Sequence, residues 1–264
     1  MNAISTVIIT KNEAQNIVAC ILSAQLVSAD IIVVDCGSDD DTFLLATKAG
    51  ARVMHVDWQC YGHSRNTGAL AAANDWILSL DADERVSPQL ARTLHTIELD
   101  DVSSIYKIRR VNFFGTKKLN FGTPGFETVP RLYHRGHAQW DLFPVHEKLN
   151  NEKPARHIKQ CILHFGITDL KEHILKKEHY ALLSARKYIQ QGKKATFIKR
   201  FLAPAFNGLK SYIFQAGFLD GKNGWEIALT ISYYTWLKYK YLSLLTNHQK
   251  GIKEVVMPAN TSWK

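Results

Sequence analysis

The stretch TVIITKNEAQNIVACILSAQLVSADIIVVD, residues 6–35, joins two β-branched apolar runs through one helical period. Thr6 to Thr10 reads as a strand, Glu13 to Val27 carries apolar side chains at helical spacing through Ile17, Cys20, Ile21 and Ala24, and Ile31 to Asp35 reads as the next strand. The alternation continues outward with a helix over Asp41 to Ala49, a strand at Val53 to Val56, an alanine-rich helix over Ser64 to Asn74 and a strand at Trp76 to Leu80. Ser87-Pro88 opens a further helix, with Ser as N-cap and Pro at the first helical position. Alternation of this kind predicts an α/β fold: a mostly parallel sheet with helices on both faces.

The 264 residues suffice for one large domain, or a domain with an appendage. With 46% hydrophobic and 22% charged residues the composition is that of an ordinary globular chain, which excludes disordered and repeat architectures. The net charge of +9 is unevenly spread, since residues 1–100 hold 6 Lys and Arg against 13 Asp and Glu, whereas residues 101–264 hold 27 against 11. A basic half of this kind suits nucleic acid, anionic lipid or a phosphorylated substrate. Cys20, Cys36, Cys60 and Cys161 show no CxxC spacing and read as reduced, mostly buried thiols. Together with an N-terminus, MNAISTVIIT, that lacks a basic n-region, they predict a cytoplasmic chain without a signal peptide.

In parallel sheets ligands bind beyond the carboxyl ends of the strands. Those ends carry Thr10, Lys11, Asn12 and Glu13, then Asp35 to Asp39, then Asp81, Ala82, Asp83 and Glu84. Carboxylates crowded on one rim need cations, and hard oxygen ligands at i and i+2 after a strand suit Mg²⁺ or Mn²⁺ carrying a diphosphate. No GxGxxG follows the first strand and no GxxxxGK[ST] occurs, so dinucleotide and P-loop readings fail.

VIITKNEAQNI, IIVVDCGSDDDT and DWILSLDADE, in that order and spacing, resemble the nucleotide-sugar half of inverting glycosyltransferases of family 2, which have the GT-A fold. The resemblance is greatest to small bacterial enzymes that add glucose to the inner core of lipopolysaccharide or lipooligosaccharide, and it runs through RLYHRG, PVHEKL and GFLDGKNG. It implies a GT-A catalytic domain over 1–166, with a nucleotide-sugar half at 1–100 and an acceptor half at 101–166, followed by a helical extension at 167–264. It also implies that Asp35 meets the base of a UDP-sugar, that Thr10, Asn12 and Glu13 line the nucleoside pocket with Arg65 and Asn66 facing it, and that Asp81 and Ala82 lie near ribose and metal. Asp83 would ligate the cation. Arg65 suits a diphosphate by its bidentate donors, and equally a salt bridge to the acidic rim.

The second half must supply an acceptor site and a base. Strands are expected at Ser104 to Arg110, Arg131 to His134 and Gln160 to Phe165. By the resemblance Glu147 is the general base, with Asp141 and His146 as neighbours able to take the same proton. His164 would complete the metal shell, or else sit buried against backbone. Beyond 166, Asp169 caps a helix that ends near Gln191 and Gly192 and carries Lys171, Lys176, Lys177, Arg186 and Lys187. The aromatic and basic stretch that follows reads as peripheral contact with an anionic membrane surface at the inner face of the inner membrane, or as helices packed on protein. Trp225 to Leu237 is too short and polar to span a bilayer, and the chain beyond Thr246 reads as a polar tail. Two rival functions remain at this point, a nucleotidyltransferase and a nucleic-acid-binding protein. The first normally has a Gly-rich basic loop where TKNEAQN stands, and the second leaves the acidic rim without a role.

Overall fold

A computed structural model describes residues 2–143, 147–150 and 153–251. The chain forms two compact units, one built from residues up to Asn120 together with Pro124–Thr168, the other from Phe121–Thr123 and the chain from Asp169 onward.

The first unit opens with β1 (Ile4–Thr10), α1 (Ile17–Ala24), β2 (Asp30–Asp35), α2 (Thr42–Lys48), β3 (Arg52–His55), α3 (Tyr61–Ala71) and β4 (Trp76–Asp81). The chain continues through β5 (Glu84–Val86), α4 (Pro88–Thr96), β6 (Ile105–Phe114), β7 (Lys117–Lys118), a single turn α5 (Gly122–Gly125) whose first two residues belong to the second unit, β8 (Thr128–His134), β9 (Gln139–Trp140), β10 (Leu149–Asn150) and β11 (Arg156–Ile167). The main sheet runs β3-β2-β1-β4-β8-β6-β11-β5, with β7 beside β6. The strands β3, β2, β1 and β4 are parallel, β8 is reversed between β4 and β6, and β11 runs parallel to β6. This is the mostly parallel α/β sheet that the alternation implies.

Every residue of β1 is buried, as expected for a strand flanked on both edges and covered on both faces. Its alternate side chains feed two cores. Ile8 joins Ile17, Ile21, Leu80 and Leu90 on one face, while Val7 and Ile9 join Val34, Ala69 and Tyr133 on the other. Helix α3 begins earlier than its alanine run, because Cys60 caps it through Sγ and the His63 N–H. It can lie close to the sheet because a Cβ on Gly68 would fall 2.4 Å from Val7 Cγ1. Ser87 caps α4 through the Leu90 N–H, with Pro88 inside the first turn. Cys20, Cys36 and Cys60 are buried free thiols and Cys161 is half-buried.

Strands β6 and β11 are longer than their apolar patterns. Polar residues such as Arg110 and Asn112 interrupt the alternation, yet pairing continues through them because their side chains find buried partners. Register fixes the working edge: Thr10 pairs with Asp35 and Ile9 with Asp81, so the ends of β1, β2 and β4 are level.

The second unit contains α6 (Leu170–Gln190), α7 (Ala203–Leu209) between π-helical turns at Ile198–Leu202 and Lys210–Phe214, a 3-10 turn at Gly217–Asp220, and α8 (Lys222–Gly251). Asp169 caps α6 by accepting from the Lys171 and Glu172 N–H groups at 2.8 and 3.1 Å. Helix α8 runs on through Lys238 and Lys240, with Lys238 Nζ 5.3 Å from the Tyr234 ring and Lys240 Nζ 4.8 Å from Trp236. The helix also continues beyond Thr246, where the sequence suggested a tail. No described helix is long and apolar enough to cross a membrane. Lys187, expected on a basic surface, is buried.

Candidate active site

At the carboxyl ends of β1 and β2 two loops are tied together. Asn12 adopts φ +55°, a left-handed conformation that Asn tolerates, donates its N–H to Ser38 Oγ at 2.9 Å and accepts from the Asp39 N–H at 2.8 Å. The Glu13 N–H donates to Thr42 Oγ1 at 2.8 Å, and its carboxylate accepts from Asn16 at 2.7 Å. Thr10 is buried beneath them. Asp35 is also buried, accepting from the Ser38 N–H at 3.1 Å and from the Ser38 hydroxyl. It therefore shapes its own loop.

Beyond β4 the carboxylates meet arginines rather than one another. Arg65, 3% exposed, donates to Ser79 Oγ at 2.6 Å, to Asp81 Oδ1 at 2.5 Å and to Glu147 Oε1 at 3.3 Å, with its guanidinium 4.9 Å from the Trp140 ring. Arg65 makes the salt bridge to the rim. Arg131 spans Asp81 Oδ2 at 2.7 Å and Glu84 Oε1 at 2.7 Å and adds Nε to Glu84 Oε2 at 2.9 Å. Arg110 reaches Glu84 at 3.3 Å and grips Glu127 through two donors at 3.0 and 2.6 Å. Burial alone raises the Asp81 carboxyl, but Arg65, Arg131 and Arg110 outweigh it and hold the group well below the usual carboxylate range. Asp81 and Glu84 thus have side-chain cations as their partners.

Asp83 is different. Its Oδ2 lies 3.4 Å from His164 Nε2. His164 Nδ1 is 2.6 Å from Asn112 Oδ1, and Asn112 Nδ2 donates to Pro124 O at 2.7 Å and Glu127 Oε2 at 3.2 Å. With the amide nitrogen pinned by two acceptors, Oδ1 faces the ring and takes the Nδ1 proton, which turns Nε2 toward the Asp83 carboxylate. A divalent cation completes such a pair. Gly166 keeps the place open: a Cβ there would lie 2.5 Å from His164 Nε2 and 2.9 Å from Asp83 Oδ2. Asp83 and His164 therefore fit Mg²⁺ or Mn²⁺. Among the described residues no group of three or more His, Cys, Asp or Glu could hold a metal.

The Asn66 amide bonds both ways to the Trp140 backbone at 2.9 and 3.0 Å. It anchors β9, and the β9–β10 pairing of Trp140 with Leu149 brings in the segment that holds Glu147. Ala82 is buried within the turn. The Asp141 N–H donates to Lys148 O at 2.9 Å, and its side chain accepts from the Phe143 N–H at 3.4 Å, so it serves its own loop. His146 lies outside the described residues. Sequence reasoning assigned no role to Arg131, Arg110, Glu84, Glu127 or Asn112. The available signal was charge at interior positions of strands, as in IYKIRRVNFF.

Residues 5–154 match the model of Glycosyl transferase family 2, and the chain belongs to that family. It is a glycosyltransferase, which removes the nucleotidyltransferase and nucleic-acid-binding readings. It is similar to an uncharacterized glycosyltransferase of Rickettsia felis, 25% identical over 277 residues covering 100% of this chain and 96% of that protein. It is also similar to the lipopolysaccharide core biosynthesis glycosyltransferase LpsC of Rhizobium meliloti, 29% identical over 249 residues and 89% of each chain. Among solved structures, glucosyl-3-phosphoglycerate synthase of Mycobacterium tuberculosis, in complex with Mn²⁺, UDP and glucosyl-3-phosphoglycerate, aligns at 26% identity and a TM-score of 0.36. That alignment covers 42% of this chain, and the chain spans 44% of that structure.

Proposed function

We propose that this chain transfers a hexose, glucose from UDP-glucose, with inversion to a lipid-linked lipopolysaccharide or lipooligosaccharide core acceptor at the inner face of the inner membrane. The observation that carries the reading is the pairing of Asp83 with His164 beside Gly166, on the same strand edge as the arginine-clamped Asp81. Thr10, Asn12, Glu13 and Asp35 form the nucleoside end of the donor pocket, residues 1–100 serve the donor and residues 101–166 the acceptor. Asp83 and His164 would hold Mg²⁺ or Mn²⁺, which would supply positive charge toward the leaving diphosphate.

Glu147 takes the proton from the acceptor hydroxyl as that oxygen bonds to the anomeric carbon, while the bond from that carbon to the diphosphate breaks on the opposite face. Arg65 restrains this carboxylate through Oε1 and ties it to Asp81, coupling the base to the donor side. The likeness to LpsC supports a core saccharide as acceptor. Exposed Lys171, Lys176 and Arg186 on α6 suit an anionic membrane surface.

The test is a hydrolysis screen over nucleotide sugars with Mg²⁺ and Mn²⁺, followed by mass spectrometry of the core saccharide from a deletion strain. Metal-dependent turnover of UDP-glucose and a core lacking one hexose are expected. Turnover of no nucleotide sugar together with an intact core would overturn the reading.

A further inference from the structure

The second unit reverses the usual arrangement of a surface helix. Along α7 and its flanking π-helical turns the buried positions are Pro204, Gly208 and Ser211. The large apolar side chains Phe201, Leu202, Phe206, Leu209, Ile213 and Phe214 are exposed, Phe214 by 76% and Phe206 by 58%. Packing demands the small residues. A Cβ on Gly208 would lie 2.1 Å from Ser232 Oγ and 3.3 Å from Ala228 O, and the Ser232 hydroxyl donates to Pro204 O at 2.9 Å. The apolar face cannot turn inward without prying α7 from α8. Scattered exposed apolar residues are ordinary, but side chains repeating about every four residues make one continuous stripe.

The charges around the stripe indicate what covers it. From His179 to Leu219 the chain has no Asp or Glu but carries seven Lys and Arg. Lys193, Lys194, Lys199 and Lys210 among them are exposed, the first two ahead of the stripe in the chain and Lys199 and Lys210 in the π-helical turns that flank α7. A protein partner is ordinarily met by charges of both signs, whereas a surface of one sign around an apolar stripe complements a layer of phosphate headgroups over acyl chains.

We propose that the stripe from Phe201 to Phe214 is the element by which this chain enters an anionic lipid leaflet, its rings at the acyl boundary and the four lysines among the headgroup phosphates. The proposal rests on the peripheral membrane reading above and moves the principal contact from α6 to α7 and its flanking turns.

The test is co-sedimentation of the full chain with vesicles of phosphatidylcholine alone and of phosphatidylcholine with phosphatidylglycerol. It compares wild type, the double variant Phe206→Ser with Phe214→Ser, and the α6 variant Lys176→Glu with Arg186→Glu. Both phenylalanines are exposed, so an unchanged melting temperature should accompany the substitutions. Wild type should prefer the anionic vesicles, and the double Ser variant should bind them about tenfold or more weakly, since two rings no longer leave water. Equal binding by the double Ser variant with loss in the α6 variant would overturn the proposal and leave the membrane reading standing. Wild type that ignores both vesicles would overturn the membrane reading as well, while the donor screen judges sugar transfer separately. A concentration-dependent dimer that the double Ser variant dissolves would also overturn it, by showing that a second copy covers the stripe.

Discussion

Around Asp81 the first unit gathers the guanidinium groups of Arg65, Arg110 and Arg131 among Asp81, Glu84, Glu127 and Glu147, while along Phe201 to Phe214 the second unit leaves large apolar side chains in solvent. Both reverse the common distribution of charge outside and apolar surface inside. The first costs desolvation and is tolerable only when every partner is in place. The second costs little folding stability, because the stripe touches nothing that the fold needs. Substitutions in the ionic region should therefore strike stability and turnover together, and substitutions in the stripe should leave both intact.

Glu147→Gln carries the largest expected effect. It should cut kcat roughly 10²–10⁴-fold in a sugar-transfer assay with the KM for donor near wild type, since a base acts in the transition state. Full activity together with a dead Asp141→Asn would pass the role to Asp141 and detach the base from the arginine network.

Next, Arg131→Met should lower unfolding free energy by about 3–5 kcal/mol in urea, because Asp81 and the fully buried Glu84 lose a shared partner. Phe206→Ser in the stripe should stay within about 0.5 kcal/mol of wild type. Similar losses for the two would erase the contrast between the regions. The pH dependence follows the same logic. The folded Asp81 carboxyl lies below the ordinary value of about 3.9, so its stabilising contribution is present above pH ~4 and lost as pH falls toward the folded value. Arg131→Met should flatten that part of the acid limb.

Asn112→Leu should weaken Mn²⁺ binding by calorimetry about 10–100-fold, by releasing the ring orientation of His164. Equal affinity in the Leu variant would mean that the ring is held by its strand alone. The smallest effect belongs to α6. Lys176→Glu and Arg186→Glu should each cost about 1 kcal/mol of binding to anionic vesicles, and no loss would leave α6 with packing only.

Much of this was legible in the sequence where local chemistry agrees with the fold. The periodicity of residues 6–35 yields β1, α1 and β2, although α1 begins only at Ile17 because Glu13 to Asn16 are occupied by loop hydrogen bonds. Asp169 and Ser87 announce their helices because an N-cap is a contact of two or three residues. What stayed hidden depends on long-range pairing. Arg131 meets Glu84 across 47 positions, and Asn66 meets Trp140 across 74, so neither role shows in any window. Lys187 looked like surface by residue type, yet it is buried. Composition cannot say which way a helix turns when small residues decide the packing.

Calorimetric titration of UDP into the chain, with Mn²⁺ and again with EDTA, reads the Asp83–His164 pair most directly. UDP should bind with Mn²⁺ and bind at least about tenfold more weakly with EDTA, and Asp83→Asn should reproduce the EDTA result while Glu147→Gln stays at wild type. UDP affinity indifferent to both EDTA and Asp83→Asn would contradict a divalent-cation donor site at this strand edge.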